Sequence, residues 1–154
     1  MIKITGNEFL INGLSLKYNN LLSSFENNNF ENIIRCFKDY LLEVFPFREK
    51  YIKTTNKNNK FKALKHVYNL FKHKCDIDLL LKTHILICNK TYPYSFPFRY
   101  GLSSIKFGDF TEVFKTTTLD DEEKRKRANF CNKFLMNKEL LPIMKELHND
   151  TLIL

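Results

Sequence analysis

Residues 60–74 read KFKALKHVYNLFKHK, and this stretch indicates both the main secondary structure of the chain and its most charged surface. Aromatic and leucine residues recur in it at intervals of three and four, which is the spacing of one helix face. They are Phe61, Leu64, Tyr68 and Phe71. The opposite face carries Lys62, Lys65, His66, Asn69 and His73, so the pattern predicts an amphipathic helix with a basic exposed side.

The net charge of +8 arises around this helix. Residues 47–75 hold nine Lys or Arg against one acidic residue, a net charge of 9 − 1 = +8. Residues 1–46 hold four against five, and residues 119–154 hold seven against seven. Because surfaces that serve only solubility mix both signs of charge, a cluster of one sign favours a polyanionic partner.

The segment before the helix, residues 54–60 with the sequence TTNKNNK, has turn-forming asparagines and no apolar anchor. It predicts an exposed loop that leads into the basic helix, together forming a basic loop and helix over residues 47–75. Lysine ammonium groups on such a surface can contact the phosphates of a nucleic acid. The residues predicted to do so are Arg48, Lys50, Lys53, Lys57, Lys60, Lys62, Lys65, Lys72 and Lys74. The alternative is that these lysines only keep the chain solvated.

The N-terminal half is expected to be helical after a short β region. Alternating apolar residues and the pairs Gly6-Asn7 and Asn12-Gly13 predict a β-meander or hairpin over residues 1–18. Residues 19–90 are predicted to be mostly helical, with a first helix from residue 19 to about residue 44 that Pro46 ends. A further helix is expected from Asp76 to about residue 89.

Residues 91–100, TYPYSFPFRY, place five aromatic rings at every second position, and two prolines exclude a helix there. We expect an extended aromatic segment over residues 91–108. Its rings could stack on unpaired bases, which makes Tyr92, Tyr94 and Arg99 candidate base contacts. The alternative is a strap of rings that packs into the core.

Residues 109–154 are predicted to form a helical C-terminal part. Asp109 and Glu112 have the spacing of a capping box, and two longer helices divided near Asn137 should follow. The run DDEEKRKR at the start of the first of them pairs each acid with a base four residues later, so it is expected to be self-neutralising, and Thr118 is its expected cap. The fold class is therefore mainly α (α+β), as a single domain over residues 1–154 with a small N-terminal β element.

The sequence contains only weak evidence for catalytic or metal-binding groups. His73, Cys75, His84 and Cys88 match no common zinc spacing. His66, Asn69 and His73 resemble the residues that some nucleases use, but phosphate contact is the simpler role, and capping explains Asp109 and Glu112 better than a carboxylate nuclease site does. No phosphate loop or dinucleotide fingerprint is present. We therefore predict no catalytic residues, no metal and no cofactor.

The chain contains no apolar run long enough for a signal peptide or a membrane span, which predicts a cytoplasmic protein without a membrane partner. Its four cysteines are then expected to be reduced. Abundant Lys, Asn, Phe and Ile is typical of AT-rich genomes such as those of many phages.

Two stretches, FLINGLSLKYNNLLSSF at residues 9–25 and DIDLLLKTHILICNKTYPYSF at residues 76–96, resemble the helicase-loading proteins of T-even-type phages. The likeness consists of an Asn-Gly followed by spaced leucines and tyrosine, and of a segment that ends in Cys88-Asn89 before aromatic residues. The resemblance implies a small basic helical protein that binds forked and single-stranded DNA. The chain lacks the Trp that the family favours after that Asn.

These observations predict a non-enzymatic nucleic-acid-binding accessory protein of phage or viral origin, which contacts the phosphate backbone of DNA or RNA through its basic loop and helix. The alternative is a protein-interaction module, for example a phage inhibitor of a host machine, whose basic face binds an acidic surface of a host protein.

Overall fold

A computed structural model describes residues 6–27, 30–51, 58–72, 85–88 and 104–152 of the chain. The elements in chain order are helices α1 (Gly6–Glu26), α2 (Phe30–Tyr51) and α3 (Asn59–Lys72), strands β1 (Ile85–Cys88) and β2 (Ser104–Phe107), and helices α4 (Thr111–Lys115), α5 (Asp121–Phe134) and α6 (Leu140–Leu152). The prediction of a mainly α fold is confirmed. Within the described ranges no helix is long and apolar enough to cross a membrane.

The chain divides into two compact units. Unit 1 consists of Met1–Thr54 with His148–Leu154, and unit 2 of Thr55–Leu147. The boundary falls inside α6, whose last turn belongs to unit 1. The expectation of one domain over the whole chain stays a prediction.

In unit 1, α1 packs along α2, and the β-meander predicted for residues 1–18 is wrong over residues 6–18, which lie in α1. Gly13 of the supposed turn lies in the middle of α1. Leu14 and Leu21 are fully buried and stand two helical turns apart, so one face of the segment is apolar at the helical period. Burial of that face against α2 outweighs the short local alternation of apolar residues that favoured strands.

Helix α2 continues through Pro46, which was expected to end it. A proline inside a helix removes one backbone hydrogen bond and costs about 3 kcal/mol. Phe45 and Phe47 on either side of it are 3% and 6% exposed. Because burial of these two rings stabilises the helix beyond the proline, α2 extends to Tyr51.

Polar contacts hold the last turn of α6 within unit 1. Nδ1 of His148 lies 2.8 Å from the Tyr40 hydroxyl oxygen, and the Tyr18 ring stacks on the His148 ring with centroids 4.0 Å apart. Arg48 donates to Asp150 at 3.0 Å and to the Thr151 hydroxyl at 2.9 Å. Tyr40, Arg48, His148 and Thr151 are all buried.

In unit 2, α3 matches the prediction from its sequence. Phe61, Leu64, Tyr68 and Phe71 are all buried, as the periodicity indicated. Helix α3 packs against α5, and the Cys131 thiol of α5 donates to the carbonyl oxygen of Ala63 at 3.7 Å. Burial raises the pKa of that thiol to about 12, so Cys131 stays protonated and serves as an apolar packing group.

The helix expected up to residue 89 is wrong at residues 85–88, which form β1. Strands β1 and β2 pair antiparallel, with Ile85 opposite Phe107 and Cys88 opposite Ser104. A four-residue apolar run has no helical or strand period of its own, so the distant partner strand decides its conformation. The extended segment predicted for residues 91–108 agrees with the structure at β2, and its remaining residues up to 103 lie outside the described ranges.

The C-terminal helices follow the prediction closely, but their caps differ. The break between α5 and α6 falls at Asn137, whose φ of 65° is left-handed, a conformation that asparagine tolerates well. The N-cap of α5 is Asp120, which accepts from the Glu123 amide at 2.7 Å, instead of Thr118. Asp120 is preferred because its extended backbone directs the carboxylate at that amide.

The predicted capping box at Asp109 and Glu112 does not form. Asp109 accepts from the Thr111 amide at 2.9 Å, a local turn two residues long, and Glu112 pairs with Lys115 at 2.9 Å. The Asn132 side chain on α5 also donates to Asp109 at 2.8 Å. The Asp109 carboxylate therefore holds the start of α4 against α5.

Candidate nucleic-acid interface

Three of the predicted phosphate-contacting lysines are exposed on one side of α3: Lys62, Lys65 and Lys72. At 100° per residue these positions fall within an arc of about 80° and span about 15 Å along the helix axis. Their side lies away from the buried stripe of Leu64, Tyr68 and Phe71. Among the described residues no carboxylate forms an ion pair with Lys62 or Lys72. We call these three lysines the α3 basic face.

Lys60, at the start of the same helix, is already paired inside unit 2. Its ammonium nitrogen lies 2.9 Å from a carboxylate oxygen of Glu146 on α6, and the Asn58 amide donates to the other oxygen at 3.2 Å. The hydrogen bond from Lys60 lowers the pKa of the Glu146 carboxyl below its usual value, so the pair is charged at neutral pH. Glu146 thus cancels one of the charges that the sequence assigned to the basic surface.

Arg48 and Lys50 lie in unit 1 at the end of α2. The Arg48 side chain is only 7% exposed and is bonded to Asp150 and Thr151. It is engaged within the fold, and we leave it out of the interface. Lys50 is exposed, with its ammonium 5.3 Å from the centre of the Tyr51 ring.

The other predicted contacts lie outside the described residues, and the structure neither places nor excludes them. They are Lys53, Lys57, Lys74, Tyr92, Tyr94 and Arg99. The same holds for residues 52–57 of the expected basic loop and for residues 89–103 of the aromatic segment.

His66 lies next to the α3 basic face and faces α5. Its ring meets the Phe130 ring edge-on with centroids 5.8 Å apart, and its Nδ1 is buried with no hydrogen-bond partner in the described part of the chain. Burial, with Arg127 and Lys65 nearby, lowers the pKa of His66 against the weaker opposite effect of Glu123. His66 is therefore neutral at pH 7 and adds no positive charge to the interface.

Replacing His66 by leucine should raise the free energy of unfolding by about 1 kcal/mol, because a buried polar atom without a partner is removed. The folded-state pKa of His66 lies below the ordinary histidine value of 6.5, so the unfolded chain takes up a proton that the folded chain does not as the pH falls through 6.5. The advantage of His66→Leu should therefore grow below that pH. Urea denaturation at several pH values measures it, and a loss of stability would show that Nδ1 has a partner.

A feature that the sequence analysis missed lies on α5 beside His66. Phe130 and Phe134 stand one helical turn apart, with ring centroids separated by 4.8 Å, and both are half-buried. Lys133 places its ammonium 5.4 Å from the centre of the Phe134 ring. The sequence does show two phenylalanines four residues apart after the run KRKR, which indicates that both rings lie on one face of the helix. Only the contact with His66 shows that this face lies against α3.

The remaining polar groups of unit 2 form structural pairs. Arg127 donates to Glu123 at 2.8 Å, as expected for a self-neutralising helix. Within the described ranges no three His, Cys, Asp or Glu residues are grouped so as to hold a metal ion. Of the suggested metal ligands, His73, Cys75 and His84 lie outside those ranges, and Cys88 lies in β1.

Comparisons of the chain with protein-family models, with curated proteins and with solved structures found no match.

Proposed function

We propose that the protein is a non-enzymatic nucleic-acid-binding accessory protein that contacts phosphates through the α3 basic face. The observation that carries the proposal is the exposure of Lys62, Lys65 and Lys72 on one side of a helix whose opposite side is buried. Ammonium groups along a rigid helix can follow a phosphate backbone with little loss of order on binding.

The charge balance of the chain supports a polyanion as the partner. The excess of +8 is concentrated in residues 47–75, and Glu146 offsets the charge of Lys60 in that segment. Single-sign surfaces of this kind raise the rate at which polyanions are captured. A role in phage or viral DNA replication or processing is a prediction that rests on the composition and on the resemblance to phage helicase-loading proteins.

Fluorescence anisotropy with labelled oligonucleotides at a series of salt concentrations tests the proposal. Each phosphate that the protein neutralises contributes about −0.9 to the slope of log K against log salt for a duplex. We expect a slope of about −2 to −4 from the α3 basic face and the neighbouring lysines. Binding that does not depend on salt, or no binding, contradicts the proposal.

Replacing Glu146 by glutamine should strengthen binding, by roughly 3- to 10-fold, because it releases Lys60 for one more phosphate contact. Glutamine keeps an oxygen that can accept from Asn58. Since both Lys60 and Glu146 are about two-fifths exposed, loss of their ion pair should change the stability by less than about 1 kcal/mol. Glu112→Gln, which breaks the exposed pair with Lys115, is the matched control. Equal gains for both variants would show a general effect of net charge.

A second candidate function, binding to another protein, is favoured by one observation on α1. Phe9 and Leu16 are 70% and 60% exposed and stand seven residues apart, on the same side of the helix. Exposed large apolar side chains that share a helix face are typical of interaction surfaces. Pull-down from a nuclease-treated lysate separates the candidates, because protein partners are retained and partners bridged by nucleic acid are lost.

A further inference from the structure

We propose that a second copy of this chain binds to the exposed side of α1, so that two α1 helices pair antiparallel about Leu16 and the protein forms a two-fold dimer. The inference goes beyond the proposed function, because it concerns the contact between two copies and needs no nucleic acid. We call this side the α1 pairing face. It is defined by the exposed residues of α1 between positions 9 and 23, which are Phe9, Asn12, Leu16, Asn19, Asn20 and Ser23.

The α1 pairing face carries no charge. The nearest exposed charged residues of the helix, Glu8 and Glu26, lie beyond its two ends, and the half-buried Lys17 lies about 100° around the helix from Leu16. Helices α2, α3, α5 and α6 each expose charged side chains. A phosphate backbone or an acidic protein surface requires cations, which this face does not offer. Two copies with a net charge of +8 each repel one another least where no cation lies in the contact.

Phe9 and Leu16 supply the apolar area of the face. Their side chains are 70% and 60% exposed. Together with Ser23 they recur at intervals of seven residues, which is the repeat of paired helices. At 100° per residue these three positions lie within an arc of about 40°, so they form a nearly straight seam along the helix. A seam of this shape fits a second helix.

The order of side chains along the face is complementary to its own reverse. Leu16 is the middle residue of the 21-residue helix α1, so an antiparallel pair centred on it overlaps over the full length of both helices. In that register Leu16 meets Leu16 of the second copy, Phe9 lies opposite Ser23, and Asn12 lies opposite Asn20. A large ring thus faces a small side chain at each end, and each amide faces an amide that can both donate and accept. A parallel pair would place Phe9 against Phe9 and Ser23 against Ser23, which fits less well.

A single helix face gives a small interface. Helix α1 is about 31 Å long, and interfaces below about 1,200 Å² are typical of weak or transient association. We therefore expect a dissociation constant in the micromolar range. Because each copy carries an α3 basic face, the dimer offers two sets of lysines to one polyanion.

Sedimentation equilibrium of nuclease-treated protein, from low micromolar to several hundred micromolar concentration, tests the pairing. The apparent mass should rise from 18.4 kDa toward twice that value, and high salt should not dissociate the dimer, because no ion pair holds it. Leu16→Lys places two ammonium groups against each other and should weaken association by at least ~30-fold. Asn129→Lys adds the same charge at an exposed position of α5 and should change association by less than about twofold.

Disulfide cross-linking checks the register. Leu16→Cys should give a cross-linked dimer under mild oxidation, because position 16 meets its own copy on the two-fold axis. Ser23→Cys should give no more cross-linking than the wild type, since the two copies of position 23 lie about 21 Å apart in this register. A mass of 18.4 kDa at every concentration, association that survives Leu16→Lys, or cross-linking of Ser23→Cys without that of Leu16→Cys overturns the pairing. Each of these results leaves the proposed function intact, because the salt dependence of oligonucleotide binding decides it separately.

Discussion

Replacing Tyr40 by alanine should lower the free energy of unfolding by about 3 to 5 kcal/mol, the usual cost of deleting a buried aromatic ring. Tyr40 is fully buried in unit 1, and its hydroxyl shares a 2.8 Å hydrogen bond with His148. Its ring also lies 5.8 Å from that of Tyr18 and 5.7 Å from that of His148. Removal of the ring thus leaves a cavity and releases the last turn of α6 from α2.

Tyr40→Phe separates the hydrogen bond from the packing. It keeps the ring but leaves Nδ1 of the buried His148 without its partner, and we expect a cost of about 1 to 3 kcal/mol. Tyr18→Phe should cost less than about 1 kcal/mol, since the half-buried Tyr18 ring remains stacked on His148. Chemical denaturation measures all three variants. A Tyr40→Ala cost below about 1 kcal/mol would contradict the importance of this cluster.

Because His148 belongs to this cluster, the free energy of unfolding should depend on pH. Burial lowers the pKa of His148 below the ordinary histidine value of 6.5. The unfolded chain therefore binds more protons than the folded chain as the pH falls below 6.5, and the stability declines until the lowered pKa is reached. In Tyr40→Ala, His148 is open to water, its pKa returns toward 6.5, and its part of this decline should disappear.

Replacing both Lys62 and Lys65 by glutamate should weaken nucleic-acid binding on the order of 100-fold. Two cations of the α3 basic face then become anions, so two phosphate contacts are lost and two repulsions are introduced. Both side chains are exposed, and the stability should change by no more than about 0.5 kcal/mol per substitution. Anisotropy titration measures the affinity, and circular dichroism checks the fold.

A double variant with the same change in net charge distinguishes a defined face from the charge of the whole protein. Lys115 and Lys138 are exposed residues of unit 2 outside α3, and their joint replacement by glutamate should weaken binding by less than about threefold at physiological salt. Similar losses in both double variants would mean that the α3 basic face has no special role.

Sequence periodicity predicted the helices whose apolar residues recur at the helical spacing. In α3 the buried stripe and the exposed lysines are both visible in residues 60–74, and the break between α5 and α6 was placed at Asn137. Helix α1 was missed because the glycine and asparagine pairs of residues 6–13 favour turns, although Leu14 and Leu21 follow the helical period. Local turn preferences contribute less to the free energy of folding than burial of a whole helix face does.

The sequence alone determined the amount of positive charge, its concentration in residues 47–75 and the amphipathic character of α3, because these are local properties. Only the tertiary structure decided that Glu146 neutralises Lys60, that Arg48 is buried against Asp150, and that Phe130 meets His66. Along the chain, Lys60 and Glu146 are 86 residues apart, Arg48 and Asp150 are 102 residues apart, and His66 and Phe130 are 64 residues apart. No local pattern encodes such distances, since they depend on how the packed helices bring distant segments together.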